Sequence, residues 1–146
     1  MSNFKFGKVS EEKMIGLHPD LIWAIRETLN IGIMDFSVVE GLRSKERQKQ
    51  LLDTGATKTM NSMHLIQPDG YGHAADLYPS PINMIKVKAR DPVEISRFGV
   101  LAGTMKAVAK QKGISITWGY DWDNDGETLD HSFNDAPHFE LTQKKG

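Results

Sequence analysis

Two histidines and one aspartate, in three short motifs, are the residues of this chain best suited to bind a metal ion. His64 ends the motif Ser-Met-His, Asp76 lies in Gly-His-Ala-Ala-Asp-Leu, and His138 lies in Asp-Ala-Pro-His-Phe-Glu-Leu. Two neutral imidazoles and one carboxylate suit zinc and leave a fourth tetrahedral position for water. The sequence therefore predicts one catalytic zinc ion and a hydrolytic reaction.

Two acidic residues near His138 could accept a proton during hydrolysis. Asp135 precedes His138 by three residues and is the expected general base for the water in the fourth position. Glu140 is the alternative base, because residues two apart on a strand point to the same face. A role for Glu140 as a buried partner of the site is the favoured interpretation of that residue.

Taken together, these segments resemble the zinc peptidases related to VanY and to the D-alanyl-D-alanine carboxypeptidases. Within that group they are most similar to small phage endolysins that cut L-alanyl-D-glutamate bonds in peptidoglycan. The family pattern is Ser-x-His, then Gly-x-Ala-x-Asp, and later an acid-x-x-His near the C-terminus. The residues that match it are Ser62, His64, Gly72, Ala74, Asp76, Asp135 and His138. The resemblance implies zinc dependence and a bacterial peptidoglycan stem peptide as the substrate.

The resemblance also implies a role for Arg43, in the segment Val-Glu-Gly-Leu-Arg-Ser. This residue is similar to the arginine that faces the substrate in related enzymes and steadies its carbonyl or carboxylate. A planar guanidinium suits that task better than a lysine point charge. A surface salt bridge is the alternative for Arg43. Ser62 is expected to support the site by hydrogen bonding and not to act as a nucleophile.

An insert at residues 65–71 separates the first two ligands, which lie 12 residues apart. Members of the family usually have only two residues between the first histidine and the following glycine. The Pro-Asp-Gly sequence inside the insert favours a turn. We therefore expect a protruding loop that leaves both ligands in place, and His73 is the alternative ligand if the loop rearranges.

The composition narrows the class of protein. The chain has 146 residues, 39% hydrophobic content and a net charge of −1, which fit one domain and give no indication of a nucleic-acid partner. Because it has no cysteine, any metal site must use histidine and carboxylate. No apolar run indicates a signal peptide or membrane insertion. We expect a monomer made in the host cytoplasm that acts on the cell wall after its release.

Capping residues and apolar periodicity predict the elements that must position these residues. Helices are expected over residues 19–32, 44–53 and 91–113, and strands over 36–42, up to 78, 114–118 and 137–141. The mixture predicts an α+β fold, a small antiparallel sheet with packed helices. The resemblance implies the hedgehog/DD-peptidase arrangement. Residues 1–146 are expected to form a single zinc peptidase domain, without a separate wall-binding module.

A second motif, Asp-Trp-Asp-Asn-Asp-Gly, begins at Asp121 and reproduces the start of an EF-hand calcium loop. Asp121, Asp123 and Asp125 are candidate ligands for a weakly bound calcium ion. Ser132 occupies the twelfth position, where a bidentate glutamate is expected. An acidic, turn-rich surface loop is therefore the alternative interpretation.

The leading hypothesis is a phage endolysin, a zinc endopeptidase that hydrolyses the L-alanyl-D-glutamate bond of the stem peptide and causes host cell-wall lysis. A D-alanyl-D-alanine carboxypeptidase with the same site is the enzymatic alternative. A zinc-stabilised module that binds wall peptides without cutting them is the non-enzymatic alternative. Asp135 argues against that module, because a structural zinc needs no base and usually has four protein ligands.

Overall fold

A computed structural model describes residues 3–56, 60–121 and 135–143 of the chain. Its elements, in chain order, are α1 (Lys8–Lys13), α2 (Pro19–Ile31), β1 (Phe36–Glu40), α3 (Lys45–Asp53), β2 (Ala74–Pro79), α4 (Met84–Lys88), α5 (Pro92–Gln111), β3 (Ile116–Trp118) and β4 (His138–Leu141). Helices and short strands are mixed along the chain, which confirms the predicted α+β class.

The strands of these described ranges form one antiparallel sheet in the order β1-β2-β4-β3. The central pair is therefore β2 and β4, and Asp76 on β2 lies directly opposite His138 on β4. On the other side of β2, Asp76 pairs with Glu40 at the end of β1. The pairing of the two central strands thus brings two of the predicted ligands together.

The hydrophobic core lies between the sheet and two long helices. Helix α5 packs against β2 and β3, and α2 packs against α5. Successive side chains of a strand point to opposite faces, so Leu77 and Phe139, next to the two ligands, are fully buried on the core face. The predicted apolar stripe of α5 supplies Phe98, Ala102, Met105 and Ala109 to this core. The polar site is therefore built on a sheet whose other face is fixed by packing.

The predicted helix ends are confirmed by their capping contacts. The side chains of Ser44 and Asp91 each accept the backbone N–H three residues further on, at 3.0 Å, at the starts of α3 and α5. Gly32 ends α2 with a left-handed φ of 81°, which is the common role of glycine after a helix.

Some elements differ from the sequence expectation. The strand predicted over 36–42 ends at Glu40, because the chain turns at Gly41, where a Cβ atom would lie 1.9 Å from the Lys13 carbonyl oxygen. The sequence does not predict α1 and α4, which have 6 and 5 residues and carry too little periodicity to be recognised. Of the helices in the described part, none has both the length and the apolar character needed to cross a bilayer.

Candidate metal centre

His64, Asp76 and His138 meet at one place, and we call these three residues the deep cluster. Asp76 Oδ1 lies 3.3 Å from His64 Nε2 and 3.7 Å from His138 Nδ1. Each residue offers one ligand atom, and the three atoms all lie within 4.8 Å of one another. Both histidines are buried. The deep cluster is thus compact enough to surround a single ion and largely sheltered from bulk water.

Hydrogen bonds on the far side of each ring decide which nitrogen faces the centre of the deep cluster. His64 Nδ1 lies 2.8 Å from the Gly41 carbonyl oxygen, so Nδ1–H donates and Nε2 keeps its lone pair. His138 Nε2 lies 2.7 Å from Glu140 Oε1, which leaves Nδ1 facing Asp76. Metal-binding histidines are commonly oriented in this way, with the second ring nitrogen held by a carbonyl or a carboxylate.

The donor set fits a divalent ion such as zinc. Asp76 Oδ1 is buried and accepts no hydrogen bond from the described residues, an arrangement that is costly unless another partner compensates. Ligand atoms around a tetrahedral zinc ion lie about 3.4 Å apart, close to the 3.3 and 3.7 Å separations at this oxygen. An ion of that size would therefore satisfy both the unpaired oxygen and the two imidazole nitrogens.

The charges around the deep cluster favour a cation. Burial raises the pKa of Asp76, but the neighbouring His138 and His64 rings lower it to well below its usual value. Burial lowers the pKa of His138, whereas its contacts with Asp76 and Glu140 raise it to about 9 overall. The carboxylates of Asp76 and Glu140 therefore stabilise positive charge within the deep cluster. A bound metal ion can supply that charge in place of protons on the histidines.

Asp135 lies in the same cleft and is held there by backbone contacts. Its N–H donates to the Gly119 carbonyl oxygen at 2.8 Å, and its own carbonyl accepts the His138 N–H at 3.1 Å. Burial and the negative charge of Asp76 raise the pKa of the Asp135 carboxyl group. A carboxyl group with a raised pKa is suited to accept a proton and to return it.

Arg43 also lines the cleft, but neighbouring side chains engage much of its guanidinium group. Nε and Nη2 donate to the Glu40 carboxylate at 2.8 and 2.9 Å, and Nη1 donates to Gln48 Oε1 at 2.7 Å. Nη2 also lies 4.0 Å from Asp76 Oδ2. These three hydrogen bonds use three of the five N–H groups of a guanidinium. The ion pair is partly buried, unlike the surface salt bridge considered from the sequence.

All five predicted metal and catalytic residues line one cleft of ≈ 380 Å³. The residues around it are Glu40, Arg43, Leu51, Ala56, Asn61, Ser62, Met63, His64, Asp76, Asp135, His138, Glu140 and Gln143. Ser62 Oγ accepts the backbone N–H of His64 at 3.1 Å, which agrees with a supporting role for that serine. The cleft therefore combines candidate metal ligands, a buried carboxyl group and a fixed cation.

The same residue types meet a second time at the surface, and we call His18, Asp69 and His73 the surface cluster. Asp69, in the 65–71 insert, places Oδ2 2.6 Å from His73 Nε2 and 3.8 Å from His18 Nε2. The insert itself closes through a 2.9 Å hydrogen bond from the Gln67 N–H to the Tyr71 carbonyl oxygen. The insert is therefore a loop closed by its own hydrogen bond. His73 lies in the surface cluster and not in the deep cluster.

The candidate calcium loop is described only at its first residue. Asp121 is buried, and its carboxylate lies 3.1 Å from Lys106 Nζ on α5. Asp123 and Asp125 lie outside the described residues. Asp121 thus already has a cationic partner, and the calcium site stays a prediction.

Sequence reasoning does not identify Glu40 and Gln48 as members of the site. Gln48 is fully buried although it lies on the otherwise polar helix α3, and Glu40 is the last residue of β1. The available signal is an arginine with a glutamate three residues before it and a glutamine five residues after it. That pattern is too common on protein surfaces to mark a buried network by itself.

Comparisons with known proteins agree with this geometry. Residues 1–142 match the sequence model of a family described as phage L-alanyl-D-glutamate peptidase. The chain is 27% identical over 145 residues to the L-alanyl-D-glutamate peptidase of Escherichia phage T5, covering 95% of this chain and 98% of that protein. It is 31% identical over 109 residues to the L-alanyl-D-glutamate peptidase of Listeria phage A118, covering 73% of this chain but only 30% of that protein.

A solved structure shares the fold as well. The crystal structure of the Serratia marcescens L-Ala D-Glu endopeptidase ChiX superposes with a TM-score of 0.71. The two sequences are 30% identical, and the match covers 96% of this chain and 92% of that one. The similarity therefore extends over the sheet and the helices that hold the deep cluster.

Proposed function

The chain belongs to the phage L-alanyl-D-glutamate peptidase family and is a peptidase. From this premise we propose that it is a zinc-dependent endopeptidase of peptidoglycan. The proposed substrate is the stem peptide, cut at its L-alanyl-D-glutamate bond, and the proposed role is that of an endolysin in host cell-wall lysis. One observation carries the zinc assignment: the buried Asp76 Oδ1, which has no hydrogen-bond partner among the described residues, faces two oriented imidazole nitrogens.

The deep cluster would hold the zinc ion through His64 Nε2, one Asp76 oxygen and His138 Nδ1. A zinc ion bound there would lower the pKa of water and polarise the scissile carbonyl group. The Gly41 carbonyl and the Glu140 carboxylate keep the two histidines in the tautomers that present these lone pairs. The protein thus fixes the ligand geometry before any metal or substrate arrives.

Asp135 is the proposed proton carrier. As a carboxylate it takes a proton from the attacking water, and as an acid it gives that proton to the leaving amine of D-glutamate. The oxygen of water bonds to the alanyl carbonyl carbon, the carbon–nitrogen bond breaks, and an alanyl carboxyl group and a glutamyl amine result. The raised pKa of the Asp135 carboxyl group favours the protonated form that the second of these steps requires.

Arg43 is proposed to face the substrate carbonyl or carboxylate with the N–H groups that Glu40 and Gln48 do not use. The bidentate contact with Glu40 fixes the plane of the guanidinium, so little side-chain entropy is lost when substrate binds. We expect Arg43→Ala to lower activity and to leave zinc content unchanged.

A digest of purified peptidoglycan, analysed by mass spectrometry, tests the scissile bond. We expect fragments with a new N-terminal D-glutamate. Free D-alanine would instead identify a D-alanyl-D-alanine carboxypeptidase. Binding to peptidoglycan without any cleavage product would identify a wall-peptide binding module.

The variant Asp135→Asn separates the reaction from metal binding. Asparagine keeps the shape of the side chain but cannot accept the proton, so cleavage should fall by roughly 100-fold or more. Zinc content, measured by elemental analysis, and the melting temperature should stay close to those of the parent protein. Near-normal cleavage by zinc-loaded Asp135→Asn would rule out this mechanism, and loss of cleavage in zinc-loaded Glu140→Gln alone would move the base to Glu140.

A further inference from the structure

A second, larger cleft of ≈ 1010 Å³ adjoins the one that contains the deep cluster. Met63 and Gln143 line both clefts, so the two form neighbouring parts of one surface depression. The insert forms one wall of the second cleft with Gln67, Pro68 and Asp69. The opposite wall comes from residues 113–115, before β3, and 141–143, at the end of β4.

The first cleft is small for the substrate of the proposed function. Its ≈ 380 Å³ lies at the lower end of the range for small-ligand pockets, about 300–1,000 Å³. It can hold the dipeptide around the scissile bond, but a stem peptide of four or more residues attached to a glycan must extend beyond it. The adjoining cleft is the space into which one side of that polymer can continue.

The residues that line the second cleft indicate which side of the scissile bond it binds, the glycan side or the peptide side. L-alanine is the first residue of the stem, so the glycan lies on the amino side of the scissile bond and the rest of the peptide on the carboxyl side. Sugars commonly pack on aromatic rings, and the described residues that line the second cleft include no phenylalanine, tyrosine or tryptophan. They include instead both carboxylates and imidazoles, from Asp20, Asp69, His18 and His73.

Charge complementarity also favours the peptide side. After D-glutamate the stem carries carboxylates and, on its diamino acid, an amine. The carboxylate and imidazole groups on one wall pair with each other in this structure, and the same groups can bind the amine and the carboxylates of the peptide. On the other wall the Ser115 hydroxyl lies 2.8 Å from Thr142 Oγ1 and can form a second hydrogen bond with a backbone group.

We propose that the second cleft is the subsite for the part of the stem peptide that follows D-glutamate, beginning with the diamino acid. The inference rests on the proposed function, because it concerns the continuation of the same substrate. The insert at 65–71 is then a specificity-determining wall. The surface cluster stabilises the position of this wall. Asp69 Oδ2 in the insert lies 2.6 Å from His73 Nε2 and 3.8 Å from Nε2 of His18, which precedes α2.

The experiment compares two synthetic substrates of different length. The short one, N-acetyl-L-alanyl-γ-D-glutamate amide, ends at D-glutamate, and the long one continues with lysine and D-alanine. We expect the parent protein to cleave the long substrate with a kcat/KM at least about tenfold higher, since the extra residues add binding energy. Ser115→Trp, which fills the second cleft, should remove that preference by lowering kcat/KM for the long substrate at least about tenfold, towards the value for the short one.

Matched variants separate filling of the cleft from other effects. Ser115→Ala removes the same hydroxyl group without filling the cleft and should keep most of the preference. Ser96→Trp adds the same bulk at an exposed position on α5 that lines neither cleft, and it should behave as the parent.

Equal cleavage of the two substrates by the parent, or an equal loss for both in Ser115→Trp, would overturn the assignment of this cleft. Cleavage of neither substrate by the zinc-loaded parent would instead overturn the proposed function. A direct measurement by calorimetry adds a readout without catalysis: the product D-glutamyl-lysyl-D-alanine should bind the parent and bind Ser115→Trp at least about tenfold more weakly.

Discussion

The deep cluster and the surface cluster contain the same residue types in similar arrangements, yet their surroundings differ. The two histidine rings are 5.1 Å apart in the deep cluster and 5.3 Å apart in the surface cluster. In the deep cluster the side chains are 3–19% exposed, whereas in the surface cluster they are 20–40% exposed. Two histidines and an aspartate are therefore not sufficient to define a metal site, and the contacts around them must be considered.

The contacts differ most at the aspartate. In the deep cluster, Asp76 Oδ1 is buried without a hydrogen bond from the described residues, and each histidine is oriented by a partner on its far side. In the surface cluster, Asp69 uses one oxygen for the Tyr71 N–H and the other for His73. The deep cluster thus has an unsatisfied acceptor that a metal ion can satisfy, whereas hydrogen bonds already satisfy the aspartate of the surface cluster.

Removing a ligand gives the largest expected difference between the clusters. His64→Ala, Asp76→Ala and His138→Ala should each abolish stoichiometric zinc and peptidase activity, because each removes one of three protein ligands. His73→Ala, the matched change in the surface cluster, should keep close to one zinc per chain. Elemental analysis after dialysis measures this, and zinc retained in the His64 variant but lost in the His73 variant would reverse the roles of the two clusters.

A smaller effect is expected when the partner of a histidine is removed. Glu140→Ala should weaken zinc binding by about 10–100-fold, the range found for residues that orient metal-binding histidines. Asp69→Ala removes the corresponding carboxylate from His73 and should not change zinc affinity. Competition with a chromophoric chelator measures both, and equal affinities in the Glu140 variant and the parent would show that the His138 tautomer does not depend on this contact.

Gly119→Ala tests how strongly backbone packing fixes the deep site. A Cβ atom there would lie 2.0 Å from the Asp135 carbonyl oxygen, so the 135–138 turn must shift. We expect a loss of stability of about 1–3 kcal/mol, as for other overpacked sites, together with reduced cleavage. Gly103→Ala is the control, because a Cβ atom at that helical position meets nothing within 4 Å. Chemical denaturation and activity assays check both variants.

The smallest expected effect is the pH dependence of the surface cluster. Desolvation raises the pKa of Asp69, but hydrogen bonds from His73 and the Tyr71 N–H lower it overall. A folded-state pKa below the unfolded value stabilises the fold above the unfolded pKa, and this contribution is lost as the pH falls through the folded value. Asp69→Asn should therefore lower the melting temperature slightly at pH 7 and not at pH 2. An equal difference at both values would contradict this account.

Many of the helices and strands that position these clusters could be predicted from local sequence signals. Ser44 and Asp91 start their helices by capping them, and a regular apolar stripe identifies the buried face of α5. These features depend on residues a few positions apart, which propensity and periodicity describe well. The motifs around His64, Asp76 and His138 carry a family pattern, so these candidate ligands could be named before their geometry was known.

The remaining features depend on residues that are distant in the sequence. His18 meets Asp69 only through the packing of the insert against the start of α2, and histidine is not among the usual capping residues. The buried network of Arg43 with Glu40 and Gln48 forms where β1 turns into α3. No local pattern distinguishes these polar residues from solvated ones, so tertiary contacts decide their roles.

The direct opposition of Asp76 and His138 on β2 and β4 would make the metal content of the proposed zinc enzyme a measure of correct folding. A slip of one residue in β4 would bring Phe139 opposite Asp76, turn its ring towards the cleft and turn His138 into the apolar core. Such a chain would lose a metal ligand and a core side chain at the same time. In a refolded or heat-stressed preparation, the fraction of protein that binds metal should therefore equal the fraction with the native strand register, and a metal-affinity step would select those molecules.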